Sequence, residues 1–110
     1  MADVRVCATD DVAPDSSKRV AVDGTALCVV RIGDDTWYCV NDTCSHEDYS
    51  LSDGEVWPDE LEVECPKHGS TFSLLDGEPQ SLPATRPVAT YPVRVDDGAV
   101  FVTLPAAVRS

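Results

Sequence analysis

Short apolar runs, each closed by turn residues, recur along the chain. The runs at 4–7, 19–22, 25–32 and 36–40 read as β-strands, the first of them at a sheet edge. Asp23-Gly24 joins the second run to the third as a hairpin turn, and Gly33-Asp34-Asp35 turns the chain into the fourth. A second hairpin is predicted near the other end, where 91–95 and 99–104 flank Asp97-Gly98. Eight prolines and six glycines recur too often to leave an uninterrupted amphipathic stretch of about 10–12 residues, so helix is nearly excluded.

Between the hairpins the pattern changes. From 41 to 87 only short candidate strands, at 61–64 and 71–74, interrupt a turn-rich sequence. A loop-rich stretch of that length inside a compact domain is usually functional or braced, because its own apolar residues cannot hold it. The expectation is one all-β domain of antiparallel sheets or a sandwich carrying a loop-built site.

Composition narrows the possibilities. A chain of 110 residues fits one domain, and it should bury about two-thirds of its unfolded surface, a modest core for which a metal or disulfide brace would be useful. Eight basic against twenty acidic side chains give a formal charge of −12, which repels a phosphate backbone and excludes a general nucleic-acid binder. With 43% hydrophobic residues and acids spread along the chain, a folded domain is favoured over disorder. No apolar run approaches the length of a membrane span, about 18 residues, and the opening Met1-Ala2-Asp3-Val4-Arg5 does not resemble a signal peptide, so a cytoplasmic protein is expected. Five cysteines, Cys7, Cys28, Cys39, Cys44 and Cys65, are an odd number, which favours thiols or metal ligands over a disulfide framework.

Two short motifs carry chemistry: Cys44-Ser45-His46 and Cys65-Pro66-Lys67-His68, separated by the 18 residues 47–64. The chain has two histidines, and each lies within three positions of a cysteine. Two thiolates and two imidazoles can hold one tetrahedral zinc, but structural zinc sites usually pair cysteines at C-x₂₋₄-C and histidines at H-x₃₋₅-H. Here each loop supplies one ligand of each kind. A binuclear iron–sulfur centre with two Cys on one iron and two His on the other accounts better for that mixture.

C-x-H followed by C-x-x-H resembles the Rieske [2Fe-2S] family. The segments 42–52 and 64–77, and Leu82-Pro83-Ala84 on to Tyr91-Pro92-Val93, are similar to the ferredoxin components of bacterial ring-hydroxylating, non-haem iron dioxygenases. The resemblance implies a Rieske fold spanning 1–110, with a basal β part at about 1–40 and 88–110 and a cluster-binding part at about 41–87. It also implies one [2Fe-2S] cluster, Cys44 and Cys65 on the buried iron, His46 and His68 on the outer one, and a proline loop over 79–87 covering it. Where respiratory relatives place a disulfide, this chain has Tyr49 and Lys67, and where they place a tyrosine hydroxyl it has Phe72; Ser70 remains as a hydroxyl-bearing candidate. Fewer donors, together with Glu47 and Asp48 beside His46, predict a potential near the low end of the Rieske range, about −150 mV.

With both histidines committed to the cluster, no second catalytic iron of the two-His, one-carboxylate kind can be built, and no Gly-rich nucleotide fingerprint is present. One-electron transfer remains. The resemblance implies electrons taken from an NAD(P)H-dependent flavin reductase and given to a terminal oxygenase, the acidic face near His46 and His68 docking on basic partners in a salt-dependent way. The run Leu82-Pro83-Ala84-Thr85-Arg86-Pro87 is also similar to Rieske ferredoxins associated with iron–sulfur cluster assembly, the alternative role, and a small subunit like that of nitrite reductase is a third. A monomer is expected. Cys7, Cys28 and Cys39 are read as packing residues, one of Trp37 and Tyr38 as core-facing, and Trp57 as packed between the cluster loops.

Overall fold

The computed structural model describes residues 2–22, 24–43, 50–66, 69–80 and 87–104. Among these residues the backbone forms three antiparallel sheets. The first contains β1 (Ala2–Ala8), β10 (Ala99–Leu104) and β9 (Val93–Asp96), in that order. The second runs β2 (Ser16–Val22), β3 (Thr25–Ile32), β4 (Thr36–Asn41) and β8 (Thr90–Tyr91). The third is small: β5 (Val56–Trp57), β6 (Glu62–Glu64) and β7 (Thr71–Ser73). Two 3₁₀ turns, Thr9–Asp11 and Leu51–Asp53, complete the elements.

The second sheet is the middle layer, and strand periodicity shows why. Successive side chains point to opposite faces, so Leu27 and Val29 of β3 join one core with Cys39, Val100, Val102 and Leu104. Their neighbours Cys28 and Val30 join a second core with Val40, Leu51, Val63, Phe72 and Leu74. Leu27, Cys28, Val29 and Val30 are all fully buried, which is why β3 reads as a continuous apolar run. Trp37 and Tyr38 follow the same rule. The expectation that one of them faces the core is corrected: Trp37 packs on the first core and Tyr38 on the second.

The Asp97-Gly98 hairpin is as predicted, with φ of 52° and 76°, the left-handed pair that a two-residue type I′ turn needs. The predicted strand 91–95 is split. Pro92 has no N–H to give a ladder, and there the chain leaves β4, where Tyr91 pairs with Cys39, and joins β10, where Val93 pairs with Val102. The strand β5 was not foreseen, being two residues between Glu55 and Pro58. Cys7, Cys28 and Cys39 are buried as expected. Among the described residues no helix is long and apolar enough to cross a membrane.

Candidate metal centre

Of the four predicted ligands, Cys65 falls within the described residues; Cys44, His46 and His68 lie outside them, as do Glu47, Asp48, Tyr49, Lys67 and 81–86 of the expected proline loop. What the structure shows is how the ends of these segments are held.

Cys65 follows directly on β6 and Ser70 directly precedes β7. The Cys65 N–H donates to the Ser70 carbonyl at 2.7 Å, and the Gly69 N–H donates to the Cys65 carbonyl at 3.1 Å, which fastens together the described residues on either side of 67–68. Gly69 has φ +73° there. Both Cys65 and Ser70 are 1% exposed, and Cys65 belongs to the same core as Val63, Phe72 and Leu51. Its sulfur is therefore held away from bulk water at the rim of the core.

The segment 44–49 starts and ends on a pair of neighbouring residues, Thr43 and Ser50, joined as an isolated antiparallel bridge. Behind them the Leu51 N–H donates to the Asp42 carbonyl at 2.7 Å. The chain that follows 44–49 meets the residues flanking Cys65 at Gly54. A methyl group placed on Gly54 would lie 1.6 Å from the Glu64 carbonyl oxygen and 3.3 Å from Cδ of Pro66, so only glycine allows the chain after 44–49 to lie against the residues on either side of Cys65. The Glu64 N–H donates to the Glu55 carbonyl at 2.8 Å and fastens the same contact.

The described residues on either side of 81–86 are held in the same way. The Gln80 N–H donates to the Thr71 carbonyl at 2.7 Å, and on the far side the Val88 N–H donates to the Gly77 carbonyl at 2.9 Å. Gly77 is a second close approach, since a methyl there would lie 1.9 Å from the Val88 carbonyl oxygen. The described residues at the ends of all three segments are thus each fixed by backbone bonds, and one segment begins at a buried cysteine.

The remaining thiols have a different character. Burial pushes Cys28 and Cys7 up, and Cys39 up to about 12, which keeps all three as thiols near neutral pH and removes the thiolate that makes a cysteine a nucleophile. Trp57 corrects another expectation. It lies on β5 rather than packed in a loop, is 41% exposed, and donates its indole N–H to Glu64 Oε1 at 2.9 Å. Asp42, Gly54 and Gly77 were missed as supporting residues; the signal in each case is a single residue beside a turn, which carries no periodicity.

The donor set and the burial of Cys65 fit a centre that needs thiolates inside and imidazoles outside. The comparisons with known proteins agree. The Rieske [2Fe-2S] domain family matches residues 2–92. The 3-phenylpropionate/cinnamic acid dioxygenase ferredoxin subunit of Escherichia coli (strain K12) is 36% identical over 104 residues, covering 94% of this chain and 95% of that one. Among solved structures, the ferredoxin of carbazole 1,9a-dioxygenase from Nocardioides aromaticivorans IC177 superposes with a TM-score of 0.87 at 36% identity, over 93% of this chain and 97% of the other. The complex of reduced oxygenase and oxidized ferredoxin in carbazole 1,9a-dioxygenase gives 0.82 at 40% identity over 91% of each chain. Sequence, fold and these likenesses make the chain a member of the Rieske [2Fe-2S] family, a ferredoxin-type electron carrier with a single cluster of that kind.

Proposed function

We propose that this protein carries single electrons from an NAD(P)H-dependent flavin reductase to the terminal oxygenase of a ring-hydroxylating dioxygenase system. In this reading the chain is one Rieske domain over 1–110, its basal part near 1–40 and 88–110 and its cluster-binding part near 41–87. Cys44 and Cys65 hold the inner iron; His46 and His68 hold the outer one. When bound, the cluster supplies reversible one-electron storage. The chain's own residues bury Cys65 and hold the ends of the ligand segments together.

The observation that carries the assignment is Cys65, 1% exposed, bonded through its N–H to the Ser70 carbonyl and flanked by Glu64 and Pro66, which pack on Gly54. The relatives named above are dioxygenase ferredoxins, and one solved structure pairs such a ferredoxin with its oxygenase. This favours oxygenase supply over the assembly role. Phe72, fully buried in the core that contains Cys65, offers no hydroxyl, in keeping with a potential near the low end of the Rieske range, about −150 mV.

Charge supports docking through an acidic face. Between Ile32 and Pro66 the chain has no Lys or Arg, whereas Asp53, Glu55, Asp59, Glu60, Glu62 and Glu64 crowd the residues between the two ligand segments. Such a face speeds encounters with basic partners and loses its effect as salt rises. The carrier acts as a monomer in the cytoplasm.

The test is reconstitution with a purified reductase and candidate oxygenases, following substrate hydroxylation. His46→Ala and Cys65→Ser should abolish turnover and the Rieske electron paramagnetic resonance signal. Turnover should fall as ionic strength rises. Failure with every oxygenase, alongside transfer to cluster-assembly proteins, would overturn the role, and a midpoint well above zero would overturn the potential.

A further inference from the structure

Asp42 is 2% exposed, and its side chain has three partners among the described residues. Oδ1 accepts the Ser52 N–H at 2.9 Å. Oδ2 accepts the Ser50 hydroxyl and faces Arg19 Nε at 3.2 Å. Its backbone adds two bonds, with the N–H donating to the Ala26 carbonyl at 2.9 Å and the carbonyl accepting the Leu51 N–H at 2.7 Å. A buried carboxylate persists only where such partners compensate its lost hydration.

These partners lie on opposite sides of one ligand segment. Asp42 stands two positions before Cys44; Ser50 and Ser52 follow the segment. Ser50 is the N-cap of the 3₁₀ turn Leu51–Asp53, yet its own side chain makes no capping bond. Asp42 supplies that cap from the other end of the segment. The third partner comes from the edge strand β2, where Arg19 and Ser17 share a face, and Ser17 Oγ donates to the Ser52 carbonyl at 3.3 Å. Leu51 packs below in the core, but apolar packing fixes no direction. Hydrogen bonds do, and they set how the ends of 44–49 are spaced and aimed.

We propose that Asp42 is a positioning residue, a carboxylate clamp that holds the Cys44 and His46 segment in its ligating geometry and ties it through Arg19 to the edge of the middle sheet. The proposal rests on the ligand assignment above. Residues that orient metal ligands from behind typically change metal affinity by about 10–100-fold when replaced.

The test uses the cluster-loaded protein and three variants. Asp42→Ala removes the whole side-chain clamp. Asp42→Asn keeps an acceptor for the Ser52 N–H but loses the charge facing Arg19, and Arg19→Gln loses that pair alone. Cluster loss to a chelator should quicken by about tenfold or more in Asp42→Ala, less in Asp42→Asn and least in Arg19→Gln. The g-values of the reduced protein and its midpoint potential should move in the same order. If Asp42→Ala does not fold, Asp42→Asn and Ser50→Ala decide by the same readouts. A lowered unfolding midpoint with unchanged g-values, potential and cluster-loss rate would reduce Asp42 to a structural residue and overturn the proposal. Failure of the ligand assignment shows separately, as a wild-type spectrum that survives His46→Ala, and would overturn both.

Discussion

The two ends of this molecule are built by different means. In the basal part long strands pair along their length: β3 spans eight residues between β2 and β4, and the ladder of β1 on β10 runs from Ala2 opposite Leu104 to Ala8 opposite Ala99. In the part that carries Cys65, β5 spans two residues and β6 and β7 three each. Strands so short do not hold a sheet by pairing alone. They depend on Val63 and Phe72 packing against the middle sheet, on single backbone bonds such as Leu74 N–H to the Leu61 carbonyl at 2.8 Å, and on two glycines that let backbone touch backbone. The basal part is stable by repetition, whereas the site depends on a few specific ties and, under the proposed ligand assignment, on the cluster as a brace.

Removing the iron should therefore break the molecule unevenly, and this is the largest effect expected. In iron-free protein the amides of Cys65, Ser73 and Gln80 should exchange faster by at least about a hundredfold, the change that loss of a ligand at a hundred times its dissociation constant produces. Amides of Val29 and Val102 should change little. Hydrogen exchange with equal protection in both forms would show that the site region needs no brace.

Glycine replacement separates the two regions next. In Gly54→Ala the new methyl would fall 1.6 Å from the Glu64 carbonyl oxygen, so one of two backbone segments must move. Overpacking of this kind costs about 1–3 kcal/mol and occasionally more, and the movement is at the residues flanking Cys65. Gly33→Ala in the basal turn meets no atom within 4 Å and is opposed only by its φ of +60°, about 1–2 kcal/mol. Denaturant unfolding together with iron content checks the contrast: Gly54→Ala should lose stability and cluster, Gly33→Ala stability alone.

Sequence reading fared differently in the two regions for the same reason. Repetition is legible, so the limits of β3 and β10 and the Asp97-Gly98 turn follow from period and turn chemistry. Which sheet a strand joins is not written in its period. That is why the switch at Pro92 was missed and why Trp37 and Tyr38, on opposite faces of a sheet covered on both sides, were read as having one core between them. At the site, the Cys and His spacing is a chemical pattern, and it points directly to the family that the comparisons show. Asp42 could not, because an aspartate before a turn looks like any solvated acid until Ser50, Ser52 and Arg19 are seen around it.

A smaller effect tests how dry the basal core is. Burial raises Cys39 from 9.0 to about 12. The unfolded chain gives up this proton near pH 9 while the folded chain keeps it, so the unfolded state binds fewer protons in that window. Stability should then fall as pH rises from about 9 to about 12, by at most about 1.4 kcal/mol per pH unit for this thiol. Cys39→Ala should start less stable at pH 7 because it leaves a void, yet lose less on going to pH 11. Parallel slopes for the two proteins in alkaline urea titrations would mean that water reaches this core.

The smallest effect concerns two ion pairs of the same chemical type. In the basal part Arg94 Nη2 lies 2.7 Å from Asp3 Oδ2, joining β9 to β1 across β10, with both side chains well exposed at 50% and 41%. The Arg94 hydrogen bond holds the Asp3 carboxyl below its usual value, so this contribution is present at neutral pH and is lost as acid protonates Asp3. Exposed pairs of this kind contribute little, because water and salt screen them and two long side chains must be ordered. The Arg94 guanidinium also stacks on the Phe101 ring at 4.4 Å, a contact that survives loss of the acid. Asp3→Asn should leave the unfolding midpoint unchanged within error in 0.15 M salt, where the Debye length is about 8 Å. In the pair near the site, Arg19 is 59% exposed but Asp42 only 2%. Removing that carboxylate strands the Ser52 N–H and leaves the Ser50 hydroxyl only Ser52 Oγ at 3.3 Å; a fully buried group left unpaired costs about 1–3 kcal/mol, and the cost at these partly buried serines lies toward the lower end. A resolvable loss in Asp3→Asn, or none in Asp42→Ala, would show that burial does not decide which of the two pairs matters.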